Sequence, residues 1–237
     1  MRVLVTRPRP DGDATAAALA ARGHRPLVVP LLEVSIERGA PVELAGVQAV
    51  LITSANGARA LAANTGRRDL RLFAVGDASA ATARDLGFPD VVSAAGNVDD
   101  LAALVGARLS PAGGPLLHVA GSVTAGDLSG RLAAAGFAVS RVVLYRADPV
   151  TSLPAEAAEA LRSGTIEAAL FYSPRTAEQF SELAAAAGLA AACAGVIAIA
   201  LSRPVAGRLS ALPFAEIRIA ETPDQASLFR TLEGIHT

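Results

Sequence analysis

Small polar residues that directly follow short apolar runs are the candidates for binding an anionic ligand. If each run is a strand that leads into a helix, these residues lie where free N–H groups favour negative charge. The competing interpretation is that each Ser, Thr or Asp is only the N-cap of its own helix. Recurrence of the pattern in both halves favours an anion site. The candidates are Thr6, Arg7, Thr53, Ser54, Gly76, Ser79, Gly121, Ser122, Ser173, Arg175 and Ser202.

Tyr145 is the candidate for proton transfer. It ends the apolar run VVLY, near a place where the chain is predicted to cross between two domains. Its phenol can donate a proton to a leaving group, or its ring can simply pack at the crossing. The residues alone leave both roles open.

Composition excludes several classes of enzyme and of binding protein. The chain has 21 basic residues, all of them arginine, so a Schiff-base lysine and a lysine-containing phosphate loop are both excluded. One cysteine and three scattered histidines (His24, His118 and His236) predict neither a metal centre nor a redox pair. A net charge of −1 and no tryptophan argue against a nucleic-acid partner. No nucleotide fingerprint occurs, so a dinucleotide cofactor of the Rossmann type is not expected.

A membrane partner is also not expected. Residues 183–201 carry no charge, but Gly188 and Gly195 interrupt them, so they are interpreted as a helix end, a turn and a strand. The first residues do not have the pattern of a signal peptide. We therefore expect a soluble, cytoplasmic protein, and a single cysteine fits a reducing compartment.

Alternating apolar runs and alanine-rich helical stretches predict an α/β fold with parallel sheets covered on both faces. The chain also repeats itself. LITSANGARAL aligns with LFYSPRTAEQF, placing Ser54 on Ser173, and the start of the chain resembles LLHVAGSVTAGDLSGRLAAAG. The order is X, Y, X′, Y′, where X is one βαβ unit and Y is three βα units. Two domain arrangements remain open, and adjacent extended segments at 33–36 and 141–146 would suit the one in which X joins Y′.

These motifs, taken in order, resemble those of the uroporphyrinogen-III synthases over essentially the whole chain. They are VLVTRP, LITSANGARAL, FAVGDASAATARDLGF, SAAGNVDDLAAL, LLHVAG, VVLYRAD, ALFYSPRTAEQF and ALSRPVA. The resemblance implies two similar α/β domains, each with a parallel sheet flanked by helices, joined by a two-stranded β-ladder, with a ligand cleft between them. It implies a discontinuous domain of residues 1–35 plus 149–237 and a continuous domain of 38–143. The crossings would lie near 33–37 and 141–148.

The resemblance also implies a reaction. The family cyclises the linear tetrapyrrole hydroxymethylbilane, with loss of water and inversion of ring D, to uroporphyrinogen III in haem biosynthesis. It uses neither metal nor organic cofactor. Tyr145 matches the family's candidate acid, and the site hydroxyls carry over to Thr53, Ser54, Ser79, Ser173 and Ser202. The substrate carries eight carboxylates, and Arg7, Arg175 and Arg203 are expected to supply the charge of a lysine found in some members. A monomer with a transient contact to the preceding enzyme is expected.

Two other classes of function are alternatives. One is a two-domain binding protein that closes on a small anionic ligand without catalysis. The other is a glycosyltransferase-like or flavodoxin-like α/β enzyme, which the missing nucleotide turn disfavours. The isomer formed from hydroxymethylbilane distinguishes the synthase from both.

Overall fold

The computed structural model describes residues 1–123 and 126–235, so His236 lies outside the described residues. The chain forms two compact units. Unit 1 comprises Met1–Glu33 and Asp148–Thr237, and unit 2 comprises Val34–Ala147. Each unit has its own sheet and is described by itself.

Unit 1 contains a five-stranded sheet in the order β11-β10-β9-β1-β2. All four strand pairs are parallel. The strands are β1 (Arg2–Val5), β2 (Arg25–Val28), β9 (Ala168–Phe171), β10 (Ile197–Ala200) and β11 (Glu216–Ile219). The helices are α1 (Asp11–Ala20), α6 (Ala155–Arg162), α7 (Pro174–Ala186), α8 (Arg203–Gly207) and α9 (Gln225–Glu233), with a short 3-10 helix at Ala191–Gly195.

The sheet of unit 2 has the order β3-β8-β7-β4-β5-β6. The strands are β3 (Leu32–Ile36), β4 (Ala49–Ile52), β5 (Leu72–Ala74), β6 (Val91–Ser93), β7 (Leu116–Gly121) and β8 (Val139–Pro149). The helices are α2 (Ala55–Asn64), α3 (Asp77–Asp85), α4 (Val98–Arg108) and α5 (Leu128–Ala134), with a 3-10 helix at Pro111–Gly113. The predicted α/β class with parallel sheets between helices is confirmed.

Each central strand is buried on both faces, because helices cover both sides of its sheet. In β1, Leu4 belongs to one apolar cluster, whereas its neighbours Val3 and Val5 belong to another. In β4, Val50 and Leu51 are divided in the same way between two clusters of unit 2. Side chains alternate between faces along a strand, so both sets must be apolar. The continuous apolar runs in the sequence therefore identified these strands correctly.

The two sheets have the same topology, which confirms the internal duplication. Leaving aside β3, the order β8-β7-β4-β5-β6 of unit 2 corresponds strand for strand to β2-β1-β9-β10-β11 of unit 1. The aligned segments X and X′ supply β1–β2 and β7–β8, and Y and Y′ supply the other three strands of each sheet. The unit 1 sheet is thus built from the first and last parts of the chain.

Strand β3 pairs with β8 at the edge of the unit 2 sheet. Backbone hydrogen bonds join Glu37 to Leu144 and Val150 to Leu31, so residue numbers rise along one segment as they fall along the other. This is the antiparallel pattern. The sequence predicted 33–36 as an extended segment beside 141–146, and both lie in this pair. Both strands also contain the residues at which the chain passes from one unit to the other.

Within the described ranges, no helix is long and apolar enough to cross a membrane.

His118 is buried in β7. Its Nδ1 lies 3.4 Å from the Ser129 hydroxyl, and its Nε2 has no hydrogen-bond partner among the described residues. Burial, with a smaller contribution from the positive charge of Arg141, lowers the pKa of His118 to about 4. The imidazole is therefore neutral in the folded protein at neutral pH.

This burial predicts a loss of stability in mild acid. The pKa of His118 is about 4 in the folded chain and near 6.5 when unfolded, so the unfolded state binds the extra proton. The free energy of unfolding is unaffected by this group above about pH 6.5 and falls by up to ~1.4 kcal/mol per pH unit between pH 6.5 and 4. Urea denaturation of wild type and His118→Leu at pH 7.5 and pH 5 measures the difference. An equal loss in both proteins would contradict the assignment.

Candidate functional site

Both sheets have a switch point at the centre, where ligands of open α/β sheets bind. In unit 2, β4 and β7 are neighbours, and the chain continues from β4 to one side of the sheet and from β7 to the other. In unit 1, β9 and β1 are the corresponding pair. The carboxyl ends of these strands lead to Ser54 and Gly121 in unit 2, and to Arg7 and Ser173 in unit 1.

Ser54 connects the end of β4 to the N-terminus of α2. Its backbone is extended, and its hydroxyl accepts a hydrogen bond from the Gly57 N–H at 3.1 Å, so it is the N-cap of the helix. The same hydroxyl lies 2.8 Å from the phenol oxygen of Tyr145, and either oxygen can be the donor. Two candidates that are 91 residues apart in the sequence are therefore in direct contact.

Tyr145 reaches Ser54 because β8 is irregular at this point. Ala120 pairs with Val143, whereas the next residue, Gly121, pairs with Tyr145, so Leu144 is an extra residue in β8. Such a bulge changes the direction of the side chains that follow it. Leu144 and Tyr145 are consecutive, and both are buried.

Gly121 provides the space for the tyrosine ring. A Cβ at this position would lie 2.7 Å from two carbons of the Tyr145 ring and 3.0 Å from its hydroxyl oxygen, which is closer than real contacts allow. The backbone on each side is fixed. Arg141 donates to the Gly121 carbonyl at 2.7 Å, and the Ser122 N–H donates to the Tyr145 carbonyl at 3.0 Å. The role of Gly121 is therefore to seat the ring.

Arg7 is the centre of a polar cluster in unit 1. Its guanidinium lies 4.3 Å from the ring centre of Tyr172, a cation–π distance. It donates to the Gln225 side-chain oxygen at 3.2 Å and lies 3.5 Å from the Asp11 carboxylate. The same Gln225 oxygen accepts from Thr15 at 3.2 Å and from Tyr172 at 3.4 Å. These contacts are long for hydrogen bonds, so an incoming carboxylate can compete for the guanidinium.

Tyr172 does not neutralise this cation. Burial raises the pKa of Tyr172, and the opposing effect of Arg7 is smaller. The phenol is therefore uncharged at neutral pH. Sequence reasoning missed Tyr172 and Gln225. Tyr172 directly precedes Ser173, a signal that could have been used, but no spacing relates Gln225 to a residue 218 positions away.

The other candidates lie at neighbouring strand ends. Ser173 caps α7 as Ser54 caps α2, accepting from the Thr176 N–H at 3.1 Å. Gly76 and Ser202 precede α3 and α8 in extended conformations, and Ser202 makes no side-chain cap bond. The remaining positions are Thr53, half-buried just before Ser54, Arg175 in the first turn of α7, and the exposed Ser122.

Two candidate hydroxyls are located inside the units. Thr6 is fully buried, and its hydroxyl donates to the Leu170 carbonyl at 2.8 Å, so it ties β1 to β9. A serine or threonine hydroxyl has one proton to donate, and here it is used. Ser79 is the third residue of α3 and is also buried. The Thr6 side chain is therefore neither exposed nor free to donate its hydroxyl proton to a second acceptor.

In the described part of the chain, no group of three or more His, Cys, Asp or Glu side chains is arranged to hold a metal ion. Cys193 is buried and its thiol lies 3.6 Å from the Leu189 carbonyl. Burial raises the pKa of Cys193 to about 11, so it is not a thiolate at neutral pH.

These features define a class of protein. It has a duplicated α/β fold, and the carboxyl ends of its central strands carry hydroxyls, an arginine and a tyrosine that packs against a glycine. The model of the family described as uroporphyrinogen-III synthase HemD matches residues 13–230. The chain therefore belongs to the uroporphyrinogen-III synthase family. Its reaction is the cyclisation of hydroxymethylbilane to uroporphyrinogen III, as the resemblance in the sequence implied.

Solved structures show the same fold. A uroporphyrinogen-III synthetase from Helicobacter pylori is 16% identical, with a TM-score of 0.63 and coverage of 99% of this chain and 100% of that chain. A mutant uroporphyrinogen III synthase from Thermus thermophilus is 21% identical, with a TM-score of 0.57 and coverage of 100% and 97%. The search of curated proteins returned no match.

The packing of the Tyr145 ring against Gly121 is tested by the substitution Gly121→Ala. The added methyl group displaces the ring from its position beside Ser54, so we expect kcat to fall at least tenfold while the protein still folds. Gly106→Ala in α4 is the matched control, because a Cβ there meets no atom within 4 Å. Steady-state assay and circular dichroism of both variants are the measurements. Equal activity of the two variants would show that the position of the ring is unimportant.

Proposed function

We propose that Tyr145 protonates the leaving hydroxyl of hydroxymethylbilane. The observation that carries this proposal is the buried phenol, seated on Gly121 and in hydrogen-bond contact with Ser54 at the switch point of unit 2. A phenol O–H placed beside a leaving group can donate its proton to that group as a general acid. Such a donor suits a hydroxyl that is already activated by the pyrrole nitrogen.

Atoms and charge balance in this step. The C–O bond of the hydroxymethyl group breaks, its electron pair leaves with the oxygen, and the phenol proton completes a water molecule. The remaining cation is an azafulvene, which the substituted carbon of ring D attacks. The bond from that carbon to its original methylene bridge then breaks, the bridge re-attaches to ring D at the other α-carbon, and that carbon loses one proton, which restores the phenol. No oxidant or reductant is needed.

Selection of the inverted isomer requires that the substrate be held in a curled conformation. Closure without enzyme gives the uninverted ring, so the enzyme's main contribution is to place the substituted carbon next to the electrophile. This is positioning catalysis, in which the rate gain comes from orientation. Carboxylates on every pyrrole ring supply the groups by which the substrate can be held.

Unit 1 is proposed to supply cationic groups for those carboxylates. Arg7, Arg175 and Arg203 follow three neighbouring strands, β1, β9 and β10, at the same edge of one sheet. Ser173 and Ser202 lie beside them at the N-termini of α7 and α8. In unit 2 the corresponding positions are Gly121, Asn56 and Asp77, none of which is basic. The proposed division is that unit 1 contributes charge and unit 2 contributes the acid.

Tyr145→Phe tests the acid. Loss of one general acid typically lowers turnover about 10²- to 10⁴-fold. We expect such a fall in kcat with little change in KM, because the ring and its seat on Gly121 remain. Thermal denaturation should show a change of about 1 kcal/mol from one lost hydrogen bond. A kcat equal to that of the wild type would contradict the acid role and leave Tyr145 with a packing role only.

The arginines are tested by replacing Arg7, Arg175 and Arg203 together with Gln. If each contributes about 1 kcal/mol to binding near the surface, KM rises at least tenfold, and it becomes less sensitive to salt. The control removes the same charge away from the carboxyl ends of the strands: Arg25 begins β2, Arg71 directly precedes β5, and Arg162 ends α6. The proposal would be contradicted if KM were unchanged in the variant lacking Arg7, Arg175 and Arg203. It would also be contradicted if KM rose equally in that variant and in the control variant.

The alternative of a binding protein without catalysis is separated by product analysis. Hydroxymethylbilane is supplied, and the uroporphyrinogen isomers are resolved by chromatography. The synthase gives isomer III, whereas a binding protein leaves isomer I as the product. The buried tyrosine at the switch point favours the synthase, because a binding site for carboxylates has no need of an acid.

We further propose that the protein acts as a cytoplasmic monomer, with a transient contact to the enzyme that supplies hydroxymethylbilane. Large exposed apolar side chains in the described ranges are isolated at Val123, Val143 and Ile219. Stable assemblies usually bury a contiguous apolar patch. Sedimentation of the purified chain, alone and with that enzyme, measures its oligomeric state and the contact between the two proteins.

A further inference from the structure

Ser54 makes a contact that capping α2 does not require. An N-cap hydroxyl accepts one N–H from the first turn, and Ser54 accepts that of Gly57 at 3.1 Å. Its own proton needs a separate acceptor. The phenol oxygen of Tyr145, at 2.8 Å, can accept it.

The internal repeat shows what the cap looks like without this contact. Ser173, which aligns with Ser54, caps α7 in the same way: its hydroxyl accepts a 3.1 Å hydrogen bond from the N–H of Thr176, three residues further on. Its hydroxyl lies 2.9 Å from that of Thr176, one turn into the same helix. The serine of unit 1 is thus satisfied locally, whereas that of unit 2 is directed to a tyrosine on another strand. The tyrosine contact is an addition to the cap.

We propose that Ser54 is a positioning residue that directs the proton of Tyr145 toward the substrate. The Ser54 hydroxyl donates to the phenol oxygen, so the phenol proton points away from the serine and is free to be transferred. This assignment deepens the proposed function and depends on Tyr145 being the acid.

The donor direction follows from the bonds already made. An oxygen that accepts an N–H is polarised, and its own O–H becomes a better donor. Here that N–H belongs to the N-terminus of α2, which carries a partial positive charge. If the phenol donated to the serine instead, its proton would be engaged and unavailable for the leaving group.

The same bond acts after proton transfer. When the phenol gives its proton to the departing hydroxyl, the phenolate oxygen retains the electron pair of the broken O–H bond. The Ser54 hydroxyl then donates to a charged acceptor, which makes a stronger hydrogen bond than a neutral one. Ser54 keeps its own proton throughout, so atoms and charge balance within the step described above.

Ser54→Ala is the first test. We expect kcat to fall about tenfold or more with KM within twofold of the wild-type value, and Ser54→Thr to restore most of the activity, because threonine keeps the hydroxyl and also caps helices. Asn97→Ala is the control for a lost cap. Asn97 caps α4 in the same unit through bonds from Asp99 and Asp100, without contacting Tyr145. Equal losses of kcat in Ser54→Ala and Asn97→Ala would assign the effect to helix stability and overturn the proposal.

The double variant Ser54→Ala with Tyr145→Phe is the second test. If Ser54 acts through the phenol, removing it from the Tyr145→Phe protein produces no further fall in kcat. Multiplication of the two single losses would overturn the proposal. The two proposals fail separately: full activity in Tyr145→Phe removes the acid, whereas a large loss there with none in Ser54→Ala removes only the positioning role.

The direction of the hydrogen bond is observable by spectroscopy. The chain has two tyrosines and no tryptophan, so Tyr172→Phe leaves Tyr145 as the sole phenol. The Raman doublet of tyrosine distinguishes a phenol that accepts a hydrogen bond from one that donates. We expect the accepting signature in the Tyr172→Phe protein and its loss when Ser54→Ala is added. A donating signature that Ser54→Ala abolishes would reverse the direction and overturn the proposal.

Discussion

Burial of both sheets on both faces is the constraint from which the site follows. A parallel strand covered by helices on each side must be apolar at every position, as Val50, Leu51 and Ile52 of β4 are. Polar groups are therefore concentrated where the strands end. There the helix N-termini expose N–H groups that require acceptors, and Ser54 and Ser173 satisfy one each. The same hydroxyls and N–H groups are the ones that can interact with an anionic substrate.

Duplication supplied two copies of this arrangement, and each has been modified differently. In unit 1 the end of β1 carries Arg7, held over Tyr172 and bonded to Gln225. In unit 2 the end of β7 is Gly121, and the space left by its missing side chain is filled by Tyr145. The two units thus carry different groups at corresponding strand ends, an arginine in unit 1 and a buried tyrosine in unit 2. Neither arrangement requires a lysine, and the reaction of the family has no covalent amine step that would need one.

Much of the fold could be predicted from the sequence, because it depends on local patterns. Each apolar run predicted as a strand contains one, and the aligned residues Ser54 and Ser173 follow corresponding strands of the two sheets, β4 and β9. Strand β3 was predicted only as an extended segment, since its alternating pattern LEVSI is that of an edge strand with one exposed face. Thr6 shows the limit of such reasoning. As a hydroxyl at a strand end it looked like Thr53, but its partner is a carbonyl 164 residues away.

The sequence by itself determined the α/β class, the repeat, the exclusion of lysine chemistry and the set of polar residues at strand ends. Apolar periodicity and residue type are local properties, so they can be read without coordinates. The tertiary structure decided which of those residues act together. A one-residue bulge at Leu144 turns Tyr145 toward Ser54, and packing of α9 in the same apolar cluster as β1 and α1 places Gln225 beside Arg7. Both depend on contacts between distant segments, and no local pattern encodes the register or the packing of those segments.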